Sequence, residues 1–231
     1  IHSRTCGPLP SFIESTIMSL AVPADLVDPL VLANRILYDQ GVVDGLGHAS
    51  VRHPTEPGVF LLSCNRAPGL VRRQDITCYD FDGNTLSDQK ERPYLERFIH
   101  AEIYRERPDV MAVVHSHSPS VIPFAITHNA LKPVFHMSGF LGEGSAHFEI
   151  REAGGNTDML ISSSYLGAAL ARSLGRHSCV LMRGHGSTVV GTSLQQVVYR
   201  AIYAEVNAKL QLGAQALGAV SYTHLTLPTK A

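Results

Sequence analysis

The sequence predicts a layered α/β sandwich folded as one domain. Short β-rich runs follow one another directly between residues 49 and 81, and amphipathic segments with their own start and stop signals flank them. No regular β-α-β repeat connects the two kinds, which favours a layered sandwich with antiparallel strands over a doubly wound parallel sheet. The first helix is signalled by Asp28 as N-cap and Pro29 at the first helical position, with Leu30, Ala33 and Leu37 as its apolar stripe and Gly41 as its stop. Residues 49–53, 59–63 and 76–81 read as strands, the last closed by the Asp82-Gly83-Asn84 turn. A second helix is expected over 93–107, where Leu95, Phe98, Ile99, Glu102 and Ile103 recur at helical spacing before Pro108. Then come a buried strand over 110–117, a helix over 119–126, a strand near Val134 and a helix over 163–174 stopped by Gly175. Strands over 178–182 and 187–191 and a long helix from Leu194 to about Leu217 complete the reading.

Composition narrows the function. The 231 residues are enough for one sizeable core, and 45% hydrophobic with 17% charged residues excludes a disordered chain. A formal charge of −1 supplies no basic field for nucleic acid or an anionic membrane surface. No apolar run is long enough to span a bilayer and no secretory leader is recognisable, so a cytoplasmic protein is expected. Cys6, Cys64, Cys78 and Cys179 are scattered without C-x-x-C spacing and read as reduced thiols. The domain is expected over 18–219, with Met18 as the natural start; residues 1–17 and 220–231 read as non-native or disordered ends.

The 12 histidines are the unusual component, and three places concentrate the chemistry. His115-Ser116-His117 ends an apolar strand, so a period of two sends both rings to one face; alone, such a pair is as readily two satisfied histidines. Arg183-Gly184-His185-Gly186 follows another strand, and its glycines let the backbone turn sharply, though an incidental His in a glycine turn reads the same way. Glu96, expected in the first turn of the second helix, either completes a three-nitrogen, one-oxygen shell or serves the helix dipole. Taken together, His115, His117, His185 and Glu96 suit a divalent metal, Zn²⁺ or Mn²⁺.

These residues, in order, resemble the class II aldolase/adducin family. The resemblance runs from about Leu30 to Leu217 and rests on the Gly45-Leu46-Gly47-His48-Ala49-Ser50-Val51-Arg52 loop, Glu96 four residues before His100, and the segment from Arg107 to His117. Lys132-Pro133-Val134-Phe135-His136 and His185-Gly186 complete it. It implies a three-layer α/β/α sandwich with a mixed, largely antiparallel sheet. It also implies a metal held by His115, His117 and His185 with Glu96 as ligand or acid/base, and a homotetramer with sites between subunits.

Departures from the sugar-phosphate members indicate the branch. Where those members carry small phosphate-binding residues, this chain has His48, the stretch from Ser63 to Pro68, and Tyr94-Leu95, which dismantles a phosphate cradle. Met137 follows His136 where the fuculose-phosphate aldolases place a catalytic Tyr. The altered pocket offers Arg66, Arg52 and Arg183 with Ser63, groups suited to a planar carboxylate, although each Arg taken singly is as readily a solvated surface charge. The branch resembles metal-dependent decarboxylases of hydroxylated aromatic or pyridine dicarboxylates. The expected function is therefore metal-dependent, non-oxidative decarboxylation of an ortho-hydroxy aromatic acid, with His48 or Glu96 supplying the proton. The alternatives are an aldolase or epimerase on a hydroxycarbonyl or sugar-phosphate substrate, and an adducin-like interaction module without activity.

Overall fold

A computed structural model of the chain describes residues 20, 22–87 and 91–218. The segments 1–17 and 220–231, read above as non-native ends, lie outside the described residues. Seven strands form one sheet: β1 (His48–Arg52), β2 (Val59–Ser63), β3 (Ile76–Asp80), β4 (Ala112–Ser116), β5 (Ala146–Phe148), β6 (Cys179–Met182) and β7 (Gly186–Gly191). Their order is β3-β2-β1-β4-β7-β6-β5, and every adjacent pair is antiparallel except β5 with β6.

Strand periodicity divides the interior into two layers. Ala49, Val51, Leu61, Cys78, Ala112, Val114, Leu181 and Val189 face α1 (Ala24–Asp39) and α6 (Leu194–Ala216). Phe60, Leu62, Tyr79, Val113, Val180 and Val190 face α2 (Arg97–Glu106) and α5 (Ser164–Leu174). Burial on both faces explains why the strands read as near-continuous apolar runs, and the result is the three-layer α/β/α sandwich with a mixed, largely antiparallel sheet. No described helix is long and apolar enough to cross a membrane.

Several boundaries differ from expectation for identifiable reasons. Helix α1 starts at Ala24, with Pro23 as its N-cap and Pro29 inside it; the Asp28 carboxylate pairs with Arg73 instead of capping. Gly41 does stop it: at φ +66° it lets Val42 N–H reach Leu37 O at 3.0 Å and Gly41 N–H reach Tyr38 O at 3.0 Å, a Schellman turn. Helix α2 begins at Arg97, four residues after the expected start, and Glu96 is its N-cap rather than a first-turn residue. The expected 119–126 helix shrinks to α3 (Ile122–Ile126), because Ser120 N–H is donated to Glu205 of α6 and residues 118–121 form a turn. No strand forms at Val134, whose N–H goes to Asn207 Oδ1. The short β5 and α4 (Ile150–Gly154) were not anticipated, and three to five residues carry too little periodicity to announce themselves.

Helices α2 and α5 pack closely over the sheet. A Cβ on Gly167 of α5 would lie 2.5 Å from the Phe98 carbonyl oxygen and 2.9 Å from Glu102 Cγ. Gly167→Ala is therefore expected to destabilise the fold by about 1–3 kcal/mol, although Gly to Ala in a helix otherwise tends to stabilise. A urea midpoint below that of the wild type is the check.

Candidate metal centre

The site is built at one end of β4. His115 is paired across the sheet with His48 of β1 and Thr188 of β7, and its ring shares the α2-facing side with Val113. His117 follows just beyond the strand. His185 arrives on the turn between β6 and β7, where Gly184 takes φ +66°. A Cβ on Gly186 would lie 2.2 Å from Ser116 O, so only glycine lets this turn press against the end of β4. The three rings converge, with centroids 5.2 Å apart for His115 and His117, 4.9 Å for His115 and His185, and 5.1 Å for His117 and His185. Glu96 extends from the N-terminus of α2 to place Oε2 3.5 Å from His115 Nε2 and 3.4 Å from His185 Nε2, while Oε1 accepts Ile161 N–H at 2.9 Å.

The outward nitrogens are held by separate partners. His185 Nδ1 lies 3.0 Å from the Met159 carbonyl oxygen, which only accepts; the ring therefore carries its proton on Nδ1 and turns Nε2 inward. Met159 itself is held at φ +68°, an uncommon backbone for a residue with a side chain. His117 Nδ1 lies 3.0 Å from Asp44 Oδ2, and Asp44 Oδ1 accepts the Leu46 and Gly47 N–H groups at 2.8 and 3.1 Å. His115 Nδ1 is 3.4 Å from Thr188 Oγ1.

This donor set fits a cation. One ligand atom from each of Glu96, His115, His117 and His185 lies within 4.8 Å of the others, and the buried His115 Nε2 makes no hydrogen bond. Burial opposes ionisation of Glu96, but the imidazoles of His115 and His185 hold its carboxyl well below the usual carboxylate range. Burial lowers His115, with the Glu96 carboxylate opposing. For His185, burial is outweighed by Glu96 and the Met159 carbonyl, and its value rises.

The other residues anticipated for the pocket fare unequally. His48 is buried beside the centre, its ring 5.2 Å from that of His115 and 4.4 Å from that of Tyr94. Ser63 is fully buried at the same sheet end, next to the strand that carries His48. Tyr94 O–H donates to the Arg66 carbonyl, while the Arg66 guanidinium pairs with Asp75 at 2.9 Å. Arg183 pairs with Glu149 at 3.0 Å and lines a cleft with Arg151, Asn156 and Met159.

Arg52 is not brought to the centre. It lies four residues along β1 from His48, about 13 Å at the usual strand rise. Its guanidinium donates to the carbonyls of Val110, Tyr104 and Arg107 and stacks over the Tyr104 ring at 4.8 Å. The arginine satisfies a helix end and a loop, a role its spacing did not reveal.

Asp44 and a buried polar chain were missed. His48 Nδ1 and His100 Nε2 are 2.6 Å apart, His100 Nδ1 and Ser50 Oγ 2.6 Å, and Ser50 Oγ and the Tyr104 hydroxyl 2.7 Å. The available signals were an Asp opening a glycine-rich turn, polar residues two apart on a strand, and His and Tyr four apart on a helix.

Residues 28–212 match the family described as class II aldolase and adducin N-terminal domain. The chain is 40% identical over 214 residues to the decarboxylase tropJ of Talaromyces stipitatus, covering 87% of this chain and 80% of that protein. It is 31% identical over 204 residues to the 3,4-dihydroxyphthalate decarboxylase of Arthrobacter keyseri, covering 83% of this chain and 79% of the relative. A solved L-fuculose 1-phosphate aldolase superposes with a TM-score of 0.73 at 20% identity, over 85% of this chain and 89% of that one, a likeness of fold.

Burial, reinforced by neighbouring His115, depresses His100 to about 3 from an ordinary 6.5. Between those values the unfolded chain binds the proton that the folded one refuses, so stability falls as pH drops through this window. His100→Gln is expected to flatten the decline by about 1.4 kcal/mol per pH unit, measured as urea unfolding free energy between pH 6.5 and 3.

Proposed function

The chain belongs to the class II aldolase and adducin family, and on that premise we propose that it is a metal-dependent carbon–carbon lyase, specifically a non-oxidative decarboxylase of a hydroxylated aromatic or pyridine carboxylate. The observation that carries this reading is the cluster of Glu96, His115, His117 and His185. His48 packs beside it, and His48, Ser63 and Arg66 occupy positions where a phosphate cradle would need small residues, which supports a substrate other than a sugar phosphate. The relatives named as decarboxylases support the reaction class, and the one named for 3,4-dihydroxyphthalate supports a hydroxylated aromatic diacid.

Three imidazole nitrogens and one carboxylate oxygen suit Zn²⁺ or Mn²⁺. Such an ion, when bound, supplies Lewis acidity toward a substrate oxygen. The chain's own groups supply the rest. Arg66 and Arg183, with Ser63, are proposed to hold the substrate carboxylates, arginine through parallel N–H donors. Loss of CO₂ breaks the carbon–carboxylate bond, leaves its electron pair on the ring carbon and requires one proton there in exchange. Glu96 and His48 flank the centre and are the residues proposed to handle that proton.

Leu95, next to Glu96 in the chain, and Leu46, two residues before His48, are each 61% exposed and support the proposal of a homotetramer with sites between subunits. Cys64, Cys78 and Cys179 are free and buried, which fits a reducing cytoplasm.

The double variant His115→Ala, His117→Ala tests the reading. Metal content should vanish and CO₂ release from hydroxylated aromatic diacids should fall about a thousandfold; undiminished turnover without metal would refute it. Turnover of sugar phosphates in place of aromatic diacids would instead favour an aldolase or epimerase, and an intact, metal-free, inert protein would favour an adducin-like module. Asp44→Ala removes the carboxylate that orients His117 and should weaken metal affinity about 10–100-fold, read by competition with a chromogenic chelator while far-ultraviolet circular dichroism stays unchanged.

A further inference from the structure

Behind the metal centre, the sheet face that elsewhere carries Phe60, Leu62 and Val113 turns polar at β1. His48 and Ser50 project from that strand toward His100 and Tyr104 of α2, and the four side chains make one unbranched hydrogen-bonded chain. All four are buried, so every proton inward of an open end needs an acceptor within the chain. Among the described residues, no charged side chain is hydrogen-bonded to any of the four side chains, so burial favours the neutral form of each, phenol and imidazoles alike.

The direction of the chain follows from its inner end. The Tyr104 hydroxyl lies 2.7 Å from Ser50 Oγ, an oxygen that can accept its proton. Ser50, receiving that proton, donates its own to His100 Nδ1. A neutral His100 that accepts at Nδ1 carries its proton on Nε2 and donates it to His48 Nδ1. His48, accepting at Nδ1, must carry its remaining proton on Nε2, the ring nitrogen turned away from His100 and the open end of the chain. The reverse direction would strand the Tyr104 proton in a buried site, a costly arrangement.

We propose that Tyr104, Ser50 and His100 fix His48 as the Nε2–H tautomer, so that a neutral N–H donor stands ready for an anionic oxygen of the substrate beside the three imidazoles. Tyr104, Ser50 and His100 are positioning residues, and His48 is the group that meets the substrate. The inference deepens the decarboxylase reading and rests on it for the identity of that oxygen, a carboxylate or phenolate. The tautomer itself is a property of the resting protein, so it is tested without turnover.

Histidine-selective ¹⁵N labelling of the zinc-loaded protein, with two-bond ¹H–¹⁵N correlation spectra assigned through His48→Gln and His100→Gln, reads the tautomer directly. Both rings should carry the proton on Nε2. A proton on His48 Nδ1 would overturn the inference and leave the proposed reaction untouched, whereas the expected tautomer in a protein that releases no CO₂ would do the opposite. Ser50→Ala severs the chain: His48 should then show exchange between tautomers, and kcat/KM should fall about tenfold. A His48 tautomer unmoved by that substitution also overturns the inference, and the wild-type spectrum decides the matter if the variant does not fold.

Discussion

Burying the Glu96 carboxylate among imidazoles is the interaction on which the rest of the site depends. An ionised carboxylate costs several kcal/mol to remove from water unless partners surround it. Here His115 and His185 face one oxygen and the Ile161 N–H serves the other. The last contact ties down the loop that also holds Met159, whose carbonyl orients His185. Glu96 thus reaches His185 twice, directly and through the loop two residues from Ile161.

Rigid strands alone would not have assembled the centre. β4 presents His115 and His117 from one element, but His185 has to be delivered by a turn that runs against that strand. Gly184 supplies the positive φ and Gly186 the close approach to Ser116. On the other side, the Schellman turn at Gly41 leads into the loop from which Asp44 meets His117, and Gly47 lets that loop pass within 2.7 Å, Cβ position to side chain, of Val43. The outward contacts of His117 and His185, a carboxylate and a carbonyl, fix which nitrogen faces inward.

The polar chain through His48, His100, Ser50 and Tyr104 is the clearest breach of the hydrophobic layering. A sandwich held only by apolar contact would place aliphatic residues at these positions, as it does at Leu62 and Val113 on the same face. A half-satisfied network in that location would be worse than none. In this one every link is between 2.6 and 2.7 Å, and the Phe60 ring lies nearly parallel to that of His100 with centroids 6.2 Å apart. Such networks are sensitive to the loss of one member, so the fold depends on all four side chains together.

What the amino-acid order determined by itself was local and periodic. Turn and cap residues marked Gly41, Gly83 and Gly175, short β-rich runs marked the strands, and the two His motifs and Glu96 could be singled out as metal-ligand types in suggestive positions. Tertiary structure decided everything that depended on a partner remote in the chain. Arg52 looked like a substrate ligand until packing gave its guanidinium to three carbonyls. Asp44 lies 73 residues from His117 and Ser50 lies 54 from Tyr104, so no local pattern could pair them. Val134 lost its strand because Asn207 of a distant helix took its N–H. Spacing along a chain reports which side chains share a face, whereas which faces meet is settled only when the whole sheet closes between its helices.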